Sequence, residues 1–143
     1  MSYLVKSYMV KEVPTIADYT SAIDAARAML KSGRGFLIIL NGESPVGIVT
    51  EHDFVEKIIG RESDPTKTTV GEIMSSPLIS VDPDEDLLKA SELMQKHHIR
   101  RLPVMKSGII YGVLTSRDIS QGCINYVDKA TREVLRWAVP FQP

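Results

Sequence analysis

The chain has 143 residues, with 43% hydrophobic side chains, 24% charged side chains and a formal net charge of −1. That is the make-up of one globular domain or of two small halves sharing a core, and it excludes a large multidomain chain. The near-neutral, interspersed charge offers no bulk attraction to duplex nucleic acid or an anionic membrane, and the few aromatics argue the same way against a nucleic-acid partner.

The opening "MSYLVKSYMVKEV" lacks the apolar core of a signal peptide. No apolar run approaches the roughly 18–20 residues of a bilayer span, so a cytoplasmic protein is expected. The first extended piece is Thr15-Ile16. After a polar turn, Ala22, Ala25, Ala26 and Met29 recur at i, i+3, i+4 and i+7, which predicts a helix. The apolar run "FLIIL" from Phe36, the turn "NGESP" and the run "VGIV" predict a hairpin. A second helix opens at Thr50-x-x-Asp53 and ends near Gly60. "GRESDPTKTT" then reads as a linker over residues 60–69.

The same order returns. "LISV" from Leu78 is extended, and "DPDED" from Asp82 supplies a cap, a proline for the first helical turn and acids at the positive helix end. Leu87, Ala90, Ser91 and Met94 carry the helical spacing. "LPVM" from Leu102, "KSG" and "YGVL" form the second hairpin, and Thr115-x-x-Asp118 opens another helix. From Tyr126 the tail "YVDKATREVLRWAVPFQP" departs from the pattern. Val127, Thr131, Val134, Leu135 and Ala138 make one apolar stripe before Pro140, which predicts a C-terminal helix covering the chain's own core or a second copy, or else binding a partner.

The recurrence is a gapless duplication. Val5 falls on Val70, Met9 on Met74, Ala25 on Ala90, Met29 on Met94, Gly47 on Gly112, Thr50 on Thr115, Asp53 on Asp118 and Ile59 on Ile124. Two β-α-β-β-α units therefore occupy residues 5–59 and 70–124, followed by a tail over 125–143. Neither unit buries a convincing core alone, so an α/β (α+β) fold of two halves packed in pseudo-twofold fashion is expected.

The repeated Thr-x-x-Asp is close to a capping box. Capping leaves Gly47 and Gly112 unexplained, because glycine inside a strand marks the close approach of another group. The geometry also suits a nucleotide. A helix start offers N–H groups to phosphate, and a carboxylate can accept both hydrogen bonds of a ribose diol. Capping and binding are compatible.

With two units each ending in G-h-h-T-x-x-D, and with "TVGEIMSSPLISV" and "DPDEDLLKASELMQKHHIRRLPV" in the second, the chain resembles a tandem pair of CBS domains, a Bateman module, from about Val5 to Ile124. The resemblance implies clefts that bind AMP, ADP, ATP or S-adenosylmethionine, with no cofactor required. It places Asp53 and Asp118 on ribose hydroxyls and Thr50 and Thr115 on phosphate or ribose. It also places Val13 and Pro14 near the Asp118 site, and Leu78 and Ile79 near the Asp53 site. Arg100 and Arg101 stand where such proteins reach ligand phosphates; aligned with them in the first unit are Gly35 and Phe36. The Asp118 site is thereby the first choice for a phosphorylated ligand. Homodimerisation and signalling to an unidentified regulated protein are further implications.

Other residues carry plainer expectations. Cys123 permits no intrachain disulfide and in "QGCIN" reads as a small buried residue. His97 and His98 point about 100° apart on a helix and cannot share an ion, and His52 is remote, so no metal site is expected. The methionines at repeat positions read as core filler. No nucleophile is paired with a base, which argues against the rival reading as a small nucleotide-acting enzyme. The other rival is an interaction scaffold whose clefts are closed.

Overall fold

The computed structural model describes residues 3–126 together with Glu133, Val134 and Arg136. The helix expected beyond Tyr126 and the solitary Trp137 lie, those three residues apart, outside the described residues. The first half runs β1 (Thr15–Ala17), α1 (Ala22–Ser32), β2 (Phe36–Asn41), β3 (Ser44–Thr50) and α2 (Glu51–Asp53), which widens into a π-helical stretch over Phe54–Ile59. The second half runs α3 (Val70–Ile73), α4 (Leu87–His97), β4 (Arg101–Lys106), β5 (Ile109–Thr115) and α5 (Ser116–Tyr126). A single 3-10 turn, Val5–Ser7, stands in the first half where α3 stands in the second.

Local chemistry sets the boundaries. Ser21 caps α1 by accepting from the Asp24 N–H, and Gly33 ends it at φ 70° in the left-handed region that suits glycine. Where "DPDED" predicts a helix starting beside Asp82, α4 starts at Leu87. Its cap is Asp86, which accepts from the Lys89 N–H at 2.9 Å, while Asp82 folds back on the Asp84 N–H at 2.8 Å. Pro83 therefore precedes the helix instead of lying in its first turn. Both hairpins close through two residues, Gly42-Glu43 and Ser107-Gly108, so β3 begins at Ser44, earlier than the "NGESP" turn suggests.

The sheets are β1-β2-β3, with β1 parallel to β2, and antiparallel β4-β5. Side chains alternate along β2. Leu37 and Ile39 face α1 in the first core, whereas Phe36 and Ile38 face Val113 in a third cluster between the sheets. Burial on both faces explains the unbroken run "FLII". The second core gathers Val5, Val81, Leu87, Ala90, Met94, Leu102, Val104 and Leu114.

The second half lacks the first strand expected at "LISV". Only Val81 pairs with Val104, through Val81 N–H to Pro103 O and Met105 N–H to Val81 O. The reason is two prolines. In the first half Ile38 N–H donates to Pro14 O and Asp18 N–H donates to Leu40 O, both at 2.9 Å. The matching donors in the second half are Pro103 and Pro83, which have no N–H, so the ladder stops at one bridge.

The halves are joined by reciprocal crossings. Val10 pairs antiparallel with Val113, and its counterpart Ser75 pairs with Ile48, the counterpart of Val113. Each crossing is a two-bond bridge, with N···O distances of 2.9 and 3.0 Å at Val10–Val113 and 3.1 and 2.8 Å at Ile48–Ser75. A second pair follows the same rule: Leu4 bridges Asp86, and Ser21 bridges Thr69. Each half thus lends its leading segment to the other half's sheet.

The crossings account for the glycines of the repeated motif. A Cβ on Gly112 would fall 2.6 Å from Val10 O and 2.9 Å from Met9 Cγ; one on Gly47 would fall 3.0 Å from Ser75 O and 2.9 Å from Met74 Cγ. Both glycines follow a register shift opposite Ile39/Leu40 and Val104/Met105, where the bulge bends the strand toward the crossing segment. The group that approaches each glycine is the other half's leading segment, backbone first at Gly112 and the Met74 side chain first at Gly47.

Gly112→Ala is expected to lower stability by about 2–3 kcal/mol, because its nearest obstacle is a carbonyl oxygen, and Gly47→Ala by about 1 kcal/mol less, because the Met74 thioether can move. Urea unfolding of both variants checks the order. A separate clasp joins Lys6 and Lys106 to Asp84 at 2.9 and 3.0 Å. The hydrogen bonds from Lys6 and Lys106 hold the Asp84 carboxyl below its usual range, and the bond to Asp84 pushes Lys106 up. The carboxylate's contribution is complete above its unfolded pKa and is lost as pH falls through the lowered folded value; that of Lys106 is complete below the ordinary lysine range and is lost as pH rises past it. The urea-midpoint difference between wild type and Asp84→Asn should therefore be level from about pH 5 to about pH 9, shrink toward about pH 3, and fall with added salt.

Candidate functional site

Thr50 and Thr115 end the second hairpin strands, where the chain turns into a helix, and each forms the same box with the aspartate three residues on. Thr50 N–H donates to Asp53 Oδ2 and Thr115 N–H to Asp118 Oδ2, both at 2.8 Å; the threonine hydroxyls reach the same oxygens at 3.4 and 2.9 Å. In the second half Asp118 N–H returns a bond to Thr115 Oγ1 at 3.2 Å. One oxygen of each carboxylate is thus committed to capping.

The other oxygen differs. Lys57 Nζ lies 3.0 Å from Asp53 Oδ1 and also donates to Ile73 O at 2.8 Å. Asp53 is buried and Lys57 is largely covered, so the pair is shielded from water. The counterpart of Lys57 is Gly122, where any side chain would collide with Leu87. Asp118 accordingly carries no equivalent ion pair and is half-buried.

The sheet crossing creates a cleft of about 630 Å³ between the halves. One wall is the helix start, Thr50, Glu51, His52 and Asp53. The facing wall comes from the other half and carries His98, Arg100 and Arg101, while Ile48, Pro77, Ile79 and Pro103 supply apolar surface. The volume is ample for a nucleotide. Arg101 begins β4 with its guanidinium carbon 5.8 Å from the centre of the Phe36 ring, and the Arg100 carbonyl accepts from the Ser116 N–H at 2.9 Å.

Arg100 and Arg101 therefore line the cleft of Thr50 and Asp53, although their backbone adjoins the other helix start, with Arg101 opposite Thr115 and Arg100 O on the Ser116 N–H; the repeat alignment alone groups them with Asp118. Alignment identifies equivalent residues; it does not say which half's strand faces which half's helix, and the crossings exchange them. At the matching position beside Asp118 the alignment puts Gly35, Phe36 and Ile38 in place of Arg100, Arg101 and Pro103. There Arg34 and Glu12 approach to 4.0 Å, where the first cleft has Ile99 and Pro77. Of the lead-in residues, Ile79 lines the Asp53 cleft and Leu78 does not. Val13 packs on Phe36, Ile38 and Val113, on the strand leading to Thr115, and Pro14 O accepts from Ile38 N–H.

Glu51, Ser75, Pro77 and Lys57 join the site without a signal in the sequence, and His98, weighed there only as a metal ligand, lines the cleft. The mismatch of Lys57 with Gly122 is visible in the duplication, yet its meaning depends on the fold. No grouping of three or more metal-capable side chains occurs among the described residues. Cys123 is exposed, contrary to expectation, at the rim of an apolar groove with Leu87, Leu88 and Ile119. No helix among the described residues is long and apolar enough to cross a membrane.

The family model of the CBS domain matches residues 5–60 and 70–123. An uncharacterised protein of Methanopyrus kandleri is 34% identical over 113 residues, covering 78% of this chain and 58% of that protein. A CBS domain-containing protein of Bacillus subtilis is 29% identical over 116 residues, covering 81% of this chain and 82% of that protein. The chain spans between 30% and 58% of the length of three curated relatives. Among solved structures, a hexameric CBS-CP12 protein from bloom-forming cyanobacteria superposes with a TM-score of 0.81 at 26% identity, over 96% of this chain and 79% of that one. An uncharacterised conserved protein of Pyrococcus horikoshii gives 0.80 at 25% identity, over 90% and 98%. Such pairs are regulatory modules that generally bind adenosine-containing ligands. With two matched repeats, mixed helices and sheets and these neighbours, the chain belongs to the CBS-domain family as a tandem pair.

Proposed function

We propose that the protein is a sensor of adenine nucleotides (AMP, ADP or ATP) that seats its ligand in the Asp53 cleft and passes occupancy to an unidentified partner protein. The observation that carries this reading is the placement of Arg100 and Arg101, from the second half, opposite the Thr50–Asp53 helix start of the first. Guanidinium groups suit phosphate oxygens, the apolar wall suits the base, and the threonine hydroxyl and backbone N–H groups at the helix start suit the phosphate or ribose. Ligand bridging the two walls draws on both halves at once, so its affinity depends on their relative angle; that dependence is what lets occupancy bias one shape over another.

The proposed role is regulatory and not catalytic. The hydroxyl–carboxylate pair in the cleft, Thr50 with Asp53, is engaged in helix capping, and the other Asp53 oxygen in an ion pair. Pairing with a second copy is part of the proposal, supported by the exposed Leu30, Val55 and Ile59 on the first half's helices. A cytoplasmic setting suits such a sensor. One observation favours the scaffold reading: both oxygens of Asp53 have partners within the chain.

Calorimetric titration with AMP, ADP, ATP and S-adenosylmethionine separates the two. Arg101→Ala is expected to weaken ADP binding about tenfold or more, and Asp118→Ala to change it less than threefold, since a charge-assisted phosphate contact is lost only in the first. Absence of heat with all four ligands would leave the scaffold as the better account.

A further inference from the structure

Lys57 occupies the oxygen of Asp53 that a ribose diol would need. Its ammonium spans two elements: Asp53 Oδ1 at 3.0 Å, on the helix that walls the cleft, and Ile73 O at 2.8 Å, at the last residue of α3. Two residues after Ile73 the chain makes the Ser75–Ile48 crossing, so this lysine ties the cleft wall to the root of the segment that the second half lends to the first. The second half has no such tie, because Gly122 stands in its place against Leu87.

Asp53 Oδ2 is already held by the Thr50 N–H and hydroxyl. A diol is therefore left with Oδ1, which has a second lone pair but belongs to a buried carboxylate with the Lys57 ammonium packed against it, so an approaching hydroxyl contends with Lys57 for that oxygen. The lysine stem is largely covered and its ammonium then keeps one neutral carbonyl in place of a carboxylate, which weakens its hold on α3. We propose that Lys57 is a latch that competes with the ligand's ribose hydroxyls for Asp53 and couples occupancy of the cleft to loosening of α3 and of the Ser75–Ile48 crossing. The inference rests on the nucleotide reading above and adds the residue that converts binding into a conformational change confined to one of the two crossings.

The test is amide hydrogen exchange on the full chain, following Ile48 and Ser75 with Val10 and Val113 as the internal control at the other crossing. Without ligand, Lys57→Met is expected to speed exchange at Ile48 and Ser75 about tenfold while Val10 and Val113 keep their rates, and Lys57→Arg is expected to restore protection. ADP added to the wild type should speed the same two amides. Inorganic pyrophosphate, which meets the arginines and has no diol, should bind without doing so. Equal acceleration at all four amides in Lys57→Met would assign the lysine to general stability and overturn the latch. Unchanged Ile48 and Ser75 in that variant would overturn it as well. ADP that binds by calorimetry yet leaves these amides unmoved refutes the competition while the nucleotide reading stands; a flat ADP titration overturns both.

Discussion

The reciprocal crossing of the two leading segments is the constraint on which the rest of this structure depends. Val10 on Val113 and Ser75 on Ile48 are single bridges, four backbone hydrogen bonds in all. Their energetic weight is modest, since each bond contributes about 1 kcal/mol net. Their geometric weight is large. They fix which sheet face meets which, they require glycine at Gly47 and Gly112, and they bring the start of β4 against the start of α2. Neither half could build the cleft alone, because one wall always belongs to the other half.

Duplication gives the two halves the same plan, and small substitutions make them unequal. Pro83 and Pro103 strip the second half of its first strand. Lys57 closes Asp53, while Gly122 leaves Asp118 without an ion pair among the described residues. Arg100 and Arg101 charge one cleft, and their counterparts Gly35 and Phe36 leave the other position uncharged at those sites. A pair of equal clefts would respond to a ligand symmetrically. An unequal pair can hold a ligand in one and keep the other as structure, with the angle between halves as the shared variable.

Much of the fold was legible from residues alone, because each local signal agreed with the duplication: apolar spacing along α1 and α4, turn residues at both hairpins, and the Thr-x-x-Asp at both helix starts. The missing strand was also legible in principle, since two prolines at ladder positions are enough to predict it. The start of α4 lies beyond what the sequence decides, because three aspartates within "DPDED" compete to cap and only the backbone selects Asp86. The site was less legible than the fold. Thr50, Asp53, Arg100, Arg101 and Ile79 stand out in the sequence and line one cleft, whereas the alignment groups the arginines with Asp118 and the cleft lining groups them with Asp53. Sequence identity between repeats carries no information on exchange between them. Lys57 escaped notice for a related reason: a lysine four residues after an aspartate on a helix is usually a solvated pair, and its burial follows from α3 packing over it.

The account stands or falls on where a nucleotide sits, and the most direct measurement is backbone chemical-shift mapping of the full chain during an ADP titration. Perturbations gathered at Ile48, Thr50, Ser75 and Ile79 are the predicted result. Perturbations gathered at Val10, Val113, Thr115 and Asp118 would place the ligand beside the other aspartate and contradict the claim that the crossed arginines define the seat.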